Sequence, residues 1–130
     1  MKISDVVRNK ASQDVVTISP EASVRELLKL LSEHDVGALV VSSDGEHVEG
    51  MVSERDVVRT LHADGTVINA HVRQIMTSDV RTCSGDDALD ELMQVMTQSR
   101  VRHIPVVQDD RLTGIISIGD VVKNRIDQLE

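Results

Sequence analysis

The chain has 130 residues, 40% of them hydrophobic and 28% charged, which suits a compact soluble module with a real core. Its net charge of −8 and its lack of any Phe, Tyr or Trp argue against nucleic acid as a partner. A phosphate backbone needs a basic face, and unpaired bases need aromatic platforms.

No apolar run approaches the length of a membrane span. The start, Met1-Lys2-Ile3-Ser4-Asp5, has no apolar signal core. The expectation is a cytoplasmic protein with no membrane partner.

Taken in chain order, Ile3, Val6 and Val7 form a short apolar lead-in. Residues 15–18 are an apolar run ended by Pro20, which reads as a strand. Val24, Leu27, Leu28 and Leu31 recur at helical spacing, so residues 23–33 should be a helix with one buried face. Residues 38–42 are continuously apolar, as in a strand buried on both faces. Ser43-Asp44-Gly45 signals a turn, and residues 48–52 form the next strand. A closing helix runs over residues 54–62 and stops near Gly65.

The second half replays this order. Thr82-Cys83-Ser84 matches Thr17-Ile18-Ser19, and Leu89, Leu92, Met93 and Met96 supply the helical face. Ile104-Pro105-Val106-Val107 is the middle strand, with Pro105 near its start, where a missing N–H does least harm. Gly114-Ile115-Ile116-Ser117-Ile118-Gly119-Asp120 matches Gly50-Met51-Val52-Ser53-Glu54-Arg55-Asp56. Even the lead-ins agree, since Val72, Ile75 and Met76 repeat the spacing of Ile3, Val6 and Val7.

The organisation is an internal duplication of an α+β unit, β-α-β-β-α. Residues 1–64 carry the first repeat with its lead-in, residues 65–79 are a linker and second lead-in, and residues 80–130 carry the second repeat. One half buries too little to stand alone. Two halves packed sheet against sheet, related by a pseudo-two-fold axis, would share a core.

The duplicated unit, with its Gly-h-h-Ser-x-x-Asp element (h apolar) opening the last helix, resembles the CBS domain. The likeness covers the chain from about Ile3 to Ile126 and extends to Ile75-Met76-Thr77 and Val101-Arg102-His103-Ile104-Pro105-Val106. It implies a tandem pair, a Bateman module, with two clefts between the repeats. Such pairs bind AMP, ADP, ATP, S-adenosylmethionine or the adenosine part of NAD, act as regulators without catalysing a reaction, and often form homodimers. Members are mostly attached to an enzyme or transporter, and the chain looks like a stand-alone member acting on an unidentified regulated protein.

An adenosine phosphate asks for a carboxylate on the ribose diol, a helix N-terminus with a hydroxyl and cations on the phosphate, and apolar walls on the purine. Ser53 stands where helix N–H groups point outward, with Asp56 one turn on and Arg55 adding a donor fork. By resemblance Asp56 holds the ribose and Ser53 the phosphate. Ser117 and Asp120 repeat this, with Gly119 in place of Arg55. The resemblance adds Gly50, Gly114, Ile18 and Cys83 as contacts. Ser-x-x-Asp at a helix start is also a capping signal, so both roles stand. Arg100, Arg102 and His103 fall at the handover from helix to middle strand, where they are either phosphate contacts or a solvated helix end. Gly37-Ala38 takes the place of Arg102-His103 in the first repeat, so the two sites should differ in charge.

Cys83, the single cysteine, has no partner for an internal disulfide and reads also as a small buried hydrophobe. The histidines are scattered, with no metal-binding spacing. No phosphate-binding loop, nucleophile elbow or other catalytic set is present, and no required cofactor is implied. The alternative to a nucleotide sensor is a structural homodimerisation module whose Ser/Asp pairs only cap helices.

Overall fold

The β-α-β-β-α order holds in the first half and recurs in the second with its first strand reduced to a single bridge, but the compact units do not follow chain order. The computed structural model describes residues 1–10 and 15–129. Its helices are α1 (Ile3–Arg8), α2 (Val24–His34), α3 (Glu54–Ala63), α4 (Leu89–Ser99) and α5 (Ile118–Leu129). Its strands are β1 (Thr17–Ile18), β2 (Ala38–Val41), β3 (Gly50–Ser53), β4 (His103–Gln108) and β5 (Arg111–Ser117). Val16–Val80 folds as one unit, and the chain from Arg81 onward folds with the N-terminal lead-in as the other.

In the Val16–Val80 unit, β1 runs parallel to β2 and β2 antiparallel to β3. All of β2 is buried, as its unbroken apolar run requires. Ser23 caps α2 by accepting from the Glu26 amide at 3.1 Å, and Val24, Leu27 and Leu31 turn into the core. Asp35 ends the helix in the left-handed region, φ 51°.

The segment expected as a linker belongs to this core. It forms 3₁₀ turns at Gly65–Asn69 and Val72–Gln74, and Val67 and Val72 are buried with Ile18, Leu39 and Val52. Each such valine contributes about 1.5–3 kcal/mol. Thr77 then pairs with Met51 of β3 through two backbone hydrogen bonds, 2.8 and 2.9 Å.

In the other unit, β4 and β5 form an antiparallel hairpin closed by Asp109 and Asp110, both at positive φ as a two-residue hairpin turn demands. The strand expected around Cys83 is a single parallel bridge to Val106. A turn follows at once, with Asp87 accepting from the Ser84 amide, and the β4–β5 register shifts just past Val106. Ile3 and Val6 of α1 are fully buried with Leu89, Leu92, Met96, Ile104, Ile116 and Val121.

Each repeat thus completes its core with the lead-in that precedes the other repeat. Relative to chain order, the compact units exchange their lead-ins. Among the described residues no helix is long and apolar enough to cross a membrane.

Candidate functional site

Each unit builds the same junction, where its last strand passes directly into its last helix. The first helical residue is tied to the residue before the middle strand: the Glu54 amide donates to Gly37 O at 3.0 Å, and the Ile118 amide to Arg102 O at 2.8 Å. Gly50 and Gly114 sit upstream for a packing reason. A Cβ on Gly50 would lie 2.7 Å from Thr77 O and 3.0 Å from Met76 Sδ, and one on Gly114 would lie 3.2 Å from the Val7 methyls. These glycines admit the exchanged lead-ins, a role that the repeat pattern alone did not reveal.

At the α3 junction, Ser53 and Asp56 cap each other. The Asp56 amide donates to Ser53 Oγ at 3.2 Å, while Asp56 Oδ2 accepts from the Ser53 amide at 2.8 Å and from its hydroxyl at 3.0 Å. Thr60 donates to Asp56 O, holding the first turn. Arg55 is exposed on that turn.

At the α5 junction, the Asp120 amide donates to Ser117 Oγ at 3.1 Å and Asp120 Oδ2 accepts from the Ser117 amide at 2.9 Å. A residue outside the predicted set joins here. Lys10 Nζ lies 3.0 Å from Asp120 Oδ2 and donates to Ile115 O at 2.8 Å. Burial raises the Asp120 pKa, but the Ser117 amide and the Lys10 ammonium outweigh it and leave the carboxyl below its usual range. Asn124, buried one turn on, donates to Asp120 O at 2.7 Å and accepts from Asn9 at 3.3 Å. Continuing the lead-in register (Ile3 to Val72, Val6 to Ile75) puts Asp79 at the place of Lys10. That charge reversal is the signal in the sequence, and it has meaning only once the lead-ins are known to be exchanged.

His103 opens β4 directly opposite Ser117, as Ala38 stands opposite Ser53. The fold therefore brings His103, Ser117, Asp120 and Lys10 to one end of their unit, with Arg102 exposed beside them. Arg100 is the exposed left-handed C-cap of α4, φ 54°. Ile18 packs its side chain into the core. Cys83 is partly buried, its thiol donating to Pro105 O at 3.7 Å, and burial with the nearby Asp87 carboxylate pushes its pKa up to about 12. The cavity beside it measures about 170 Å³. Pockets that enclose drug-sized ligands begin near roughly 300 Å³.

The β2–β3 turn gathers Asp44, Glu46 and His47, whose donor atoms lie within 4.8 Å of one another, all exposed. The turn itself accounts for the grouping. Asp44 accepts from the His47 amide and imidazole and from the Glu46 amide, which hold its carboxyl well below the usual range.

The chain is thus a duplicated α+β module, with a capped carboxylate at the strand-to-helix junction of each unit. The CBS domain model matches residues 3–63 and 72–127, and the chain belongs to the CBS-domain family. It carries two such domains in tandem, a Bateman module, and CBS domains are regulatory and non-catalytic.

The CBS domain-containing protein YhcV of Bacillus subtilis is 28% identical over 92% of this chain and 85% of its own length. A CBS-domain containing protein from Agrobacterium tumefaciens, known from its crystal structure, is 41% identical with a TM-score of 0.90, covering 96% of this chain and 99% of its own. The CBS domain pair of protein MJ0100, solved in complex with 5′-methylthioadenosine and S-adenosyl-L-methionine, shares the fold at 22% identity and a TM-score of 0.84, covering 96% of this chain and 99% of its own.

Proposed function

We propose that this module senses an adenosine-containing ligand (AMP, ADP, ATP, S-adenosylmethionine or the adenosine part of NAD) and transmits its presence to a regulated protein. The observation that carries the reading is the Asp56 carboxylate. Ser53 holds one oxygen, and the other has no hydrogen-bond donor among the described residues, so a rigid acceptor is left for a ribose diol. The α3 N-terminus and Arg55 beside it suit a phosphate. In the other unit Arg102, His103 and Ser117 offer the matching anion-binding groups, with Arg100 further out. The occupancy of the MJ0100 pair by two adenosine compounds supports the ligand class. Binding shifts a partner-facing surface by no more than the ligand's differential affinity for two states.

A calorimetric thermal-shift panel of AMP, ADP, ATP, NAD, NADH and S-adenosylmethionine, with GTP as control, tests this. Ligand at a hundredfold excess over its Kd stabilises by roughly 2.7 kcal/mol. Affinity retained after Asp56→Ala and Asp120→Ala together would overturn the site assignment.

A second reading, homodimerisation without a ligand, draws on two apolar stripes. Val58 and Leu61 on α3 are 67% and 45% exposed, and Ile118, Val122 and Ile126 on α5 are 41%, 51% and 52% exposed. Residues at i, i+4, i+8 share one helix face, and such a face is normally covered. We infer a homodimer in either case. Sedimentation with and without nucleotide separates a ligand-responsive assembly from an indifferent one.

A further inference from the structure

We propose that Lys10 decides which of the two duplicated junctions takes a ribose: it occupies Asp120 from within the chain and leaves Asp56 to the ligand. The inference rests on the adenosine reading above and goes beyond it by fixing the stoichiometry and the residue that sets it.

The two junctions share a cap, a tie to the middle strand and a helix start, so duplication alone predicts two equal carboxylates. They are unequal. Asp56 meets only groups of Ser53. Asp120 Oδ2 takes both the Ser117 amide and the Lys10 ammonium, 2.9 and 3.0 Å away.

Lys10 is not a loose surface lysine. Its side chain is 24% exposed against 21% for Asp120, its ammonium is anchored a second time on Ile115 O, and its neighbour Asn9 is held by buried Asn124. A ribose diol brings two hydroxyl donors and needs acceptor lone pairs on the carboxylate for both. Both carboxylates have Oδ2 doubly used, so the difference is one of charge: at Asp56 both partners are neutral groups of Ser53, whereas at Asp120 the ribose meets a carboxylate whose charge the Lys10 ammonium already neutralises. It must first part an ion pair that is largely out of water, and that cost is subtracted from its affinity. The corresponding place in the other lead-in holds Asp79, which offers no ammonium.

The test is isothermal titration calorimetry with AMP and with S-adenosylmethionine as probes, on the wild-type chain, Lys10→Met and Lys10→Met/Asp120→Asn. Lys10→Gln serves if circular dichroism shows the Met variant unfolded. The expected result is one probe per wild-type chain and two per Lys10→Met chain. The second site should be roughly tenfold or more tighter than any second site in the wild type, and Asp120→Asn should remove it. Two equal sites in the wild type, or no gain on removing Lys10, overturns the proposal. The adenosine reading fails separately, when the wild type binds neither probe. A Lys10→Met chain that then binds one probe through Asp120 still upholds the role of Lys10, and one that binds none refutes both.

Discussion

Replacing Gly50 by alanine adds one methyl group at a place where the backbone itself is in the way. The new Cβ would lie 2.7 Å from Thr77 O, 3.0 Å from Met76 Sδ and 3.4 Å from Met76 Cγ. The sulfur can swing aside, but the carbonyl cannot. Thr77 O accepts from the Met51 amide at 2.9 Å and Thr77 N donates to Met51 O at 2.8 Å, so moving the carbonyl loosens both bonds. Overpacking costs about 1–3 kcal/mol and each weakened hydrogen bond up to about 1 kcal/mol. Against this stands a gain of about 0.4–1 kcal/mol, because alanine narrows the unfolded ensemble.

The net expectation is a loss of about 2–3 kcal/mol, or roughly 6–12 °C in Tm for a chain of this size. Thermal and urea unfolding followed by circular dichroism reads it, since the chain has no Trp or Tyr to report by fluorescence. Two controls set the scale. Gly114→Ala meets only the Val7 methyls at 3.2 Å, which can yield, so its loss should be small. Gly65→Ala meets nothing within 4 Å and should be neutral or slightly stabilising. A Gly50→Ala variant as stable as Gly65→Ala would refute the claim that the second lead-in is clamped across β3.

Three further outcomes follow from the same geometry. The folded-state pKa of Asp120 is lowered, so its stabilisation is whole above the ordinary aspartate value of about 3.9 and is lost as pH falls through the lower folded value. Asp120→Asn should therefore flatten the acid limb of the stability profile, and an unchanged limb in urea titrations across that range would count against the Lys10 pairing. Cys83, with its pKa pushed up to about 12, should react with a thiol reagent at pH 8 far more slowly in the folded chain than in urea, and equal rates would contradict its burial. Arg100→Gly relieves a left-handed backbone at φ 54° and should stabilise by about 0.5–1 kcal/mol, read from the urea midpoint.

Much of the fold was legible because its signals are local. The helical spacing of Val24, Leu27 and Leu31 names a buried face, the run Ala38-Leu39-Val40-Val41 names a buried strand, and Ser53 and Asp56 name a helix start. Repetition of those signals sixty-odd residues on identified the duplication and, through it, the family. The same locality limits what they say about the site. Ser-x-x-Asp reads alike in both halves, yet Asp56 meets only Ser53 while Asp120 is held by a lysine 110 positions earlier. Cys83 and Ile18 match in the repeat, yet the core around each is completed by a lead-in that no periodicity assigns.

The sequence by itself determined the order of elements, the faces they bury, the caps that start the helices and the presence of two copies. These follow from residue periods and side-chain hydrogen bonds that act over one turn or one strand. Only the tertiary structure decided which lead-in packs on which repeat, and with it the need for Gly50 and Gly114 and the pairing of Lys10 with Asp120. The physical reason is that apolar spacing shows that a face will be buried without naming its partner. Ile3 and Val72 carry the same pattern, so either could have served either core until three-dimensional packing chose between them.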